Sequence, residues 1–173
     1  MIQRLIQIDL AISGFIRDRI KNKTLDRILS RINRGETLLL ILIISFFFYP
    51  NNSFWGITKL ILHVGLISYI TDRLVLFMKK TISRKRPLIR VMDNQDKNPD
   101  MKHSFPSAHA ANSMVSIFIL VTVYHYSPLF FLFSLFAGLG RLITLHHFLS
   151  DILGGWGIGL VIGLLNLGLF LLI

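Results

Sequence analysis

The chain has 173 residues, 53% hydrophobic and only 16% charged, with 19 Lys+Arg against 9 Asp+Glu and a net charge of +10. Soluble domains carry roughly 25% charged residues, so this composition argues against an ordinary water-soluble domain and for one membrane-embedded domain over 1–173. The absence of cysteine excludes disulfides, thiolate zinc sites and a cysteine nucleophile. The basic excess asks for an anionic partner, either nucleic acid or phosphate-bearing lipid.

In chain order, residues 2–20 place Ile2, Leu5, Ile6, Ile12, Phe15 and Ile16 at near-helical spacing, interrupted by Arg4 and Asp9. This pattern predicts an amphipathic interfacial helix, and 24–34 predicts a second short one. With them, residues 1–36 form a basic N-terminal segment. A hydrophobic run from Thr37 to Tyr49 ends at Pro50 and is short for a span. Phe54–Met78 is long enough to cross. The polar island 79–106 contains Pro87, Pro99 and Pro106 and is expected to be a loop that carries the site. Further spans are expected at Ser107–Tyr126, Pro128–Leu145 and Ile152–Ile173, the last with Gly155, Gly159 and Gly163 as a close-packing face.

The predicted fold is all-α, a multi-pass bundle of about five spans. Charge divides accordingly: residues 1–36 carry a net of +4 and 79–106 a net of +5, while the final 67 residues hold only Arg141 and Asp151. Basic islands beside apolar spans favour a lipid bilayer as the partner, and nucleic acid need not be invoked.

Three clusters fall on one membrane face, because two spans separate the loop 79–106 from the turn 146–151. The first is Lys79-x6-Arg86-Pro87. The second is Pro106-Ser107-Ala108-His109, with Ser107 as a helix N-cap whose free N–H groups favour an anion. The third is Gly140-Arg141-x5-His147-x3-Asp151. A four-residue helical spacing lets the Asp151 carboxylate orient His147. Lys79, Arg86 and Arg141 suit phosphate oxygens. One histidine can attack phosphorus while the other protonates the leaving oxygen; spacing to Asp151 favours His147 as the nucleophile.

These three motifs, in order and with their internal spacings, resemble the signatures of the type 2 phosphatidic acid phosphatase superfamily, which shares its site with vanadium haloperoxidases. The resemblance implies His147 as a nucleophile forming a phosphohistidine, Asp151 as its partner and His109 as general acid. It implies phosphate binding by Lys79, Arg86, Ser107 and Arg141, with no metal or other cofactor. Its candidate substrates are lipid A 1-phosphate, taken first, then undecaprenyl diphosphate, phosphatidylglycerol phosphate and phosphatidic acid. It also implies an inner-membrane protein with the site on the extracytoplasmic face, although the positive-inside rule applied to the basic islands points to the cytoplasm. No obligate protein partner is expected. The competing class is a non-catalytic transporter or scaffold that binds anionic lipid; a vanadate-dependent oxidase is disfavoured by the small size.

Two positions depart from the family pattern: Ala108 stands where Gly is usual, and Gly140 where Ser is usual. Ala108 is therefore expected in right-handed helix. Lys102 and His103 are candidate headgroup contacts. Ser83, Arg84, Lys85 and Arg90 read as loop or interfacial charges, or else as additions to an anion funnel, His146 as a rim neighbour, and His63 and Asn166 as hydrogen bonders between helices.

Overall fold

A computed structural model describes residues 2–20, 22–24, 53–87, 102–144 and 146–172. In these, five α-helices follow one another: α1 (Ile2–Ile20), α2 (Phe54–Ile82), α3 (Ala108–Thr122), α4 (Phe131–Ile143) and α5 (Leu149–Leu172). A 3-10 turn, Pro128–Phe130, leads into α4. The run 37–49, nearly all of the short amphipathic segment 24–34, and Arg90 lie outside the described residues.

Among the described helices, α2 and α5 are long and apolar enough to cross a membrane. Their outward faces expose Leu62, Leu66, Phe77, Leu164, Leu165 and Leu169, an apolar surface that needs lipid rather than water. The helices α3 and α4 have only 15 and 13 residues, about 20 Å at 1.5 Å per residue. The runs expected to span at Phe54–Met78, Ser107–Tyr126, Pro128–Leu145 and Ile152–Ile173 therefore form helices with shifted ends, two of them shorter than a full crossing.

The central helix is α3, buried along nearly its whole length from Ala108 to Leu120. It is flanked by α2, α4 and α5. Because hydrocarbon gives helices no hydrophobic reason to associate, small residues and interhelical hydrogen bonds do this work. Ser68 of α2 meets Ser116 at 2.9 Å, and Ser134 of α4 meets Ser113 at 3.0 Å. His63 joins Asn166 at 2.9 Å and Tyr124 at 3.2 Å, tying α2 to α5 and to the end of α3 as expected.

The tightest seam is between α3 and α5. A Cβ on Gly155 would lie 2.5 Å from the Ser107 carbonyl oxygen, and one on Gly159 would lie 2.4 Å from that of Ala111. Both obstacles are backbone, so the helices can only move apart. Gly159→Ala is expected to cost about 1–3 kcal/mol through overpacking. Gly157→Ala, with nothing within 4 Å of the added methyl, should leave the midpoint of a thermal melt in detergent unchanged or slightly raised. Equal midpoints for the two variants would contradict this packing.

α1 presents an inverted amphipathicity. Its apolar residues Ile8, Leu10, Ile12 and Phe15 face outward, whereas Ser13 is buried against the bundle. Ser13 Oγ accepts from Leu149 N at 2.9 Å, and Asp9 Oδ1 accepts from Ser150 N at 3.2 Å. The first N–H groups of a helix lack partners within it; here α1 caps α5 from across the fold.

Candidate active site

The chain brings its polar residues together at one end of the bundle: the C-terminal ends of α2 and α4 and the N-terminal ends of α3 and α5. Lys79 is in the last turn of α2, not in the loop predicted to begin there. The hydropathy falls after Met78, but the helix runs four residues further and ends at Ser83, which adopts a left-handed φ of 51° while its N–H bonds to Lys79 O. A helix C-terminus favours a cation, and Lys79 is only 1% exposed.

The turn at Ser83 sends Arg84–Arg86 back across the end of the bundle. Lys85 pairs with His103 in an isolated antiparallel bridge. Ser104 N donates to Arg84 O at 2.8 Å, and Arg86 Nε donates to the His103 carbonyl at 3.3 Å. His103 thus lies beside the site through its backbone, while Lys102 is exposed at the margin.

Ser107 caps α3 as expected, its Oγ accepting from Ala110 N at 3.4 Å. Its own N–H donates to Asp151 O at 2.9 Å, which joins the starts of α3 and α5. Ala108 begins the helix, and the described non-glycine residues with positive φ are Ser83 and His125. The right-handed conformation expected at Ala108 is therefore present, so alanine fits there without backbone strain. His109, one position on, lies against Arg141, whose Nη2 is 2.6 Å from both imidazole nitrogens. Gly140, lacking a side-chain hydroxyl, contributes its carbonyl to Thr144 Oγ1 at 2.7 Å.

The pairing of His147 with Asp151 arises differently from the one-face helical stacking predicted for it. α5 begins at Leu149, so Asp151 is in its first turn and His147 lies in the preceding turn. The backbone N–H groups of His146 and His147 both reach Arg141 O, at 3.1 and 3.2 Å. Asp151 Oδ2 accepts from Phe148 N at 2.8 Å, capping its own helix, and faces His147 Nδ1 at 3.6 Å. That separation exceeds a hydrogen bond, and Nδ1 has no other hydrogen-bond partner.

His147 is 2% exposed and Asp151 0%. Burial, the largest influence, pushes the His147 imidazole down to about 4; Arg86 and Lys79 add to the shift and Asp151 opposes it. His147 is thus a free base at neutral pH, with a nitrogen lone pair available. His146 is also lowered, by burial and then by Arg141 and Arg86, but its Nδ1 is engaged 3.0 Å from both Thr144 O and Oγ1.

Three residues that the sequence did not single out occupy the same place. Arg84, expected to be a loop or interfacial charge, sends Nη1 to Asp151 Oδ1 at 2.9 Å and to Ser150 Oγ at 2.6 Å, and Nη2 to Asp9 Oδ2 at 2.6 Å. Its guanidinium stacks 4.1 Å above the Phe148 ring. Ser150 Oγ donates a short hydrogen bond to the same Asp9 oxygen. Although burial alone would raise the Asp9 carboxyl, hydrogen bonds from Ser150 and Arg84 hold it below its usual range. The clue available in the sequence was Asp9 and Ser13 four residues apart on an otherwise apolar helix.

In chemical terms, two cationic side chains, a capped helix start and a histidine pair surround one region, with a third cation, Lys79, buried beside it. That set can neutralise and orient a tetrahedral dianion. Among the described residues no group of three or more His, Asp or Glu could hold a metal ion.

Residues 56–170 match the PAP2 superfamily. No curated protein matches the sequence. Among solved structures, the chain is similar to the crystal structure of the first transmembrane PAP2 type phosphatidylglycerolphosphate phosphatase from Bacillus subtilis, with a TM-score of 0.67 and 23% identity over 98% of this chain and 88% of that one. At that identity the likeness establishes a shared fold. The family match covers well over half of the chain, including all three clusters: this protein belongs to the PAP2 superfamily.

Proposed function

We propose that the protein is a membrane lipid phosphatase that cleaves a phosphate monoester or diphosphate from a lipid headgroup through a phosphohistidine, without a metal. The observation that carries this reading is the free-base His147, buried beside Asp151 at the same bundle end as Lys79, Arg86 and Arg141. The lipid chains stay in the bilayer while the headgroup enters among these cations and the N-terminus of α3. Ser107 and the first N–H groups of α3 add donors to the phosphate oxygens.

His147 attacks phosphorus in line with the lipid oxygen, forming an N–P bond as the P–O bond breaks. Asp151 holds the developing imidazolium, as the acid of a serine–histidine–aspartate triad does. His109 gives its proton to the departing oxygen, then takes one from the water that hydrolyses the phosphohistidine. The products are inorganic phosphate and the dephosphorylated lipid. Arg141 lies on His109; an incoming phosphate draws the guanidinium onto itself and frees the imidazole.

Lipid A 1-phosphate remains the first candidate substrate, ahead of undecaprenyl diphosphate and phosphatidic acid; phosphatidylglycerol phosphate gains support from the structural neighbour's stated activity. We place the site on the extracytoplasmic face of the inner membrane. The cations counted against that placement include Lys79 and Arg86, which the site itself employs.

The test is phosphate release from these four lipids side by side, with and without a chelator, followed by alkaline denaturing quench of enzyme given radiolabelled lipid. Release, chelator resistance and an acid-labile, base-stable label are expected. Binding without release would make the protein a carrier or scaffold for anionic lipid, and chelator inhibition would exclude metal independence. On this cysteine-free chain, a Ser83→Cys variant should react with an impermeant maleimide from outside; labelling only after lysis would reverse the sidedness.

A further inference from the structure

Arg84 is the residue that the proposed chemistry leaves without a role, yet its guanidinium meets two carboxylates and a serine hydroxyl. Both of its terminal nitrogens are taken by carboxylates, Asp151 and Asp9. Only Nε, buried and without a partner, is unengaged. A guanidinium so held is a poor phosphate ligand and a good clamp, because its planar fork fixes the partner's orientation.

The clamp decides which carboxylate oxygen meets the imidazole. Asp151 is fully buried, and an unpaired buried carboxylate is strongly disfavoured. Arg84 Nη1 occupies Oδ1, and Phe148 N fixes Oδ2 on the side of His147. With Oδ1 released, the carboxylate could rotate about its terminal torsion, which is broad for aspartate. Asp9 holds the other end of the guanidinium and caps Ser150 N at the start of α5. The interfacial helix α1 is thereby wired to the base of the site.

We propose that Arg84 is a positioning residue for Asp151, and that Asp9 of α1 secures Arg84, so that α1 forms part of the catalytic support. This rests on the phosphohistidine reading above. It gives the polar edge of α1 a function distinct from membrane attachment, which its outward apolar face can serve.

The experiment compares full-length wild type, Arg84→Ala, Arg84→Lys, Asp9→Asn, the Asp9→Asn/Arg84→Ala double variant and His147→Ala. Each is assayed in detergent micelles with short-chain forms of the four candidate lipids, and the best substrate is used for kcat and KM. Inhibition by inorganic phosphate is measured in parallel. Loss of a supporting contact around a reactive group costs about 10- to 100-fold in activity. Arg84→Ala should lower kcat by about that factor with KM and the phosphate inhibition constant unchanged. Arg84→Lys should recover part of the loss by keeping the charge, and Asp9→Asn should lose about tenfold or less. Because the two residues act as one unit, the double variant should be no slower than Arg84→Ala.

A rise in KM and in the phosphate inhibition constant would make Arg84 a phosphate ligand and overturn the proposal. Unchanged kcat in Arg84→Ala, beside an inactive His147→Ala, would overturn it while leaving the phosphohistidine intact. Activity retained by His147→Ala would remove the mechanism on which both rest. Should Arg84→Ala not fold, Arg84→Lys and Asp9→Asn at unchanged melting temperature carry the same comparison: undiminished kcat in both overturns the clamp.

Discussion

Replacing His147 with Ala is expected to lower turnover of a lipid phosphate by about four orders of magnitude or more, the scale seen when a nucleophile in a coupled set is removed. The neighbouring imidazole of His146 does not rescue it, since its Nδ1 is already bound to Thr144 and its place is at the rim. His146→Ala should therefore remain within about tenfold of wild type. The pH dependence follows from the environment of His147. In the proposed mechanism, protonation removes the attacking lone pair, so the free enzyme should lose activity as pH falls through the pKa of this group. Burial, reinforced by Arg86 and Lys79 and opposed by Asp151, sets that pKa at about 4. The acid limb of kcat/KM, which reports the free enzyme, should thus lie well below the 6.5 of an ordinary histidine. A limb near 6.5 that moves with no change at His147 would show that another group governs it. Phosphate release across buffers of constant ionic strength measures both effects.

The grouping of Lys79, Arg86, Ser107, His109, Arg141, His147 and Asp151 was legible because each sits at a fixed offset beside the end of an apolar run. Span parity alone then places them on one face. Element ends were less legible. α2 continues through Lys79 because its cap is a left-handed turn at Ser83, which no glycine announces. α5 starts at Leu149 rather than Ile152 because its first donors are met by Ser13, Asp9 and Asp151. Two of those three partners lie more than a hundred residues away in sequence.

Arg84 was hidden for the same reason. In the run Lys79-Lys80-Thr81-Ile82-Ser83-Arg84-Lys85-Arg86 every cation looks alike. What sets Arg84 apart is two carboxylates brought from 67 and 75 residues away. Asp9 looked like a flaw in an amphipathic helix when that helix was pictured with its polar side toward water. The fold turns the polar edge inward instead, so the carboxylate that spoils the membrane-facing pattern is the one that joins the site. A charge that breaks a local pattern was here a better guide to long-range structure than the charges that completed one.

His109→Ala should separate the two halves of the proposed reaction according to the leaving group. A lipid alkoxide departs poorly unless it receives a proton, and general acid catalysis typically contributes 10²–10⁴-fold. The variant is therefore expected to lose about that much activity toward lipid phosphate. p-Nitrophenyl phosphate releases an anion that needs no proton, so His147 should still be phosphorylated at nearly the normal rate. Hydrolysis of the phosphohistidine also calls on His109, as base toward water, and that step stays slow. Rapid-quench mixing should then show a burst of about one equivalent of p-nitrophenolate followed by a slow steady state, the signature of an accumulating covalent intermediate. The contact with Arg141 supplies the competing explanation: with Nη2 2.6 Å from the ring, His109 could instead serve only to hold the guanidinium. In that case both substrates would lose activity equally, KM would rise, and no burst would appear. A burst with the synthetic ester and none with lipid is the outcome that assigns the proton to His109.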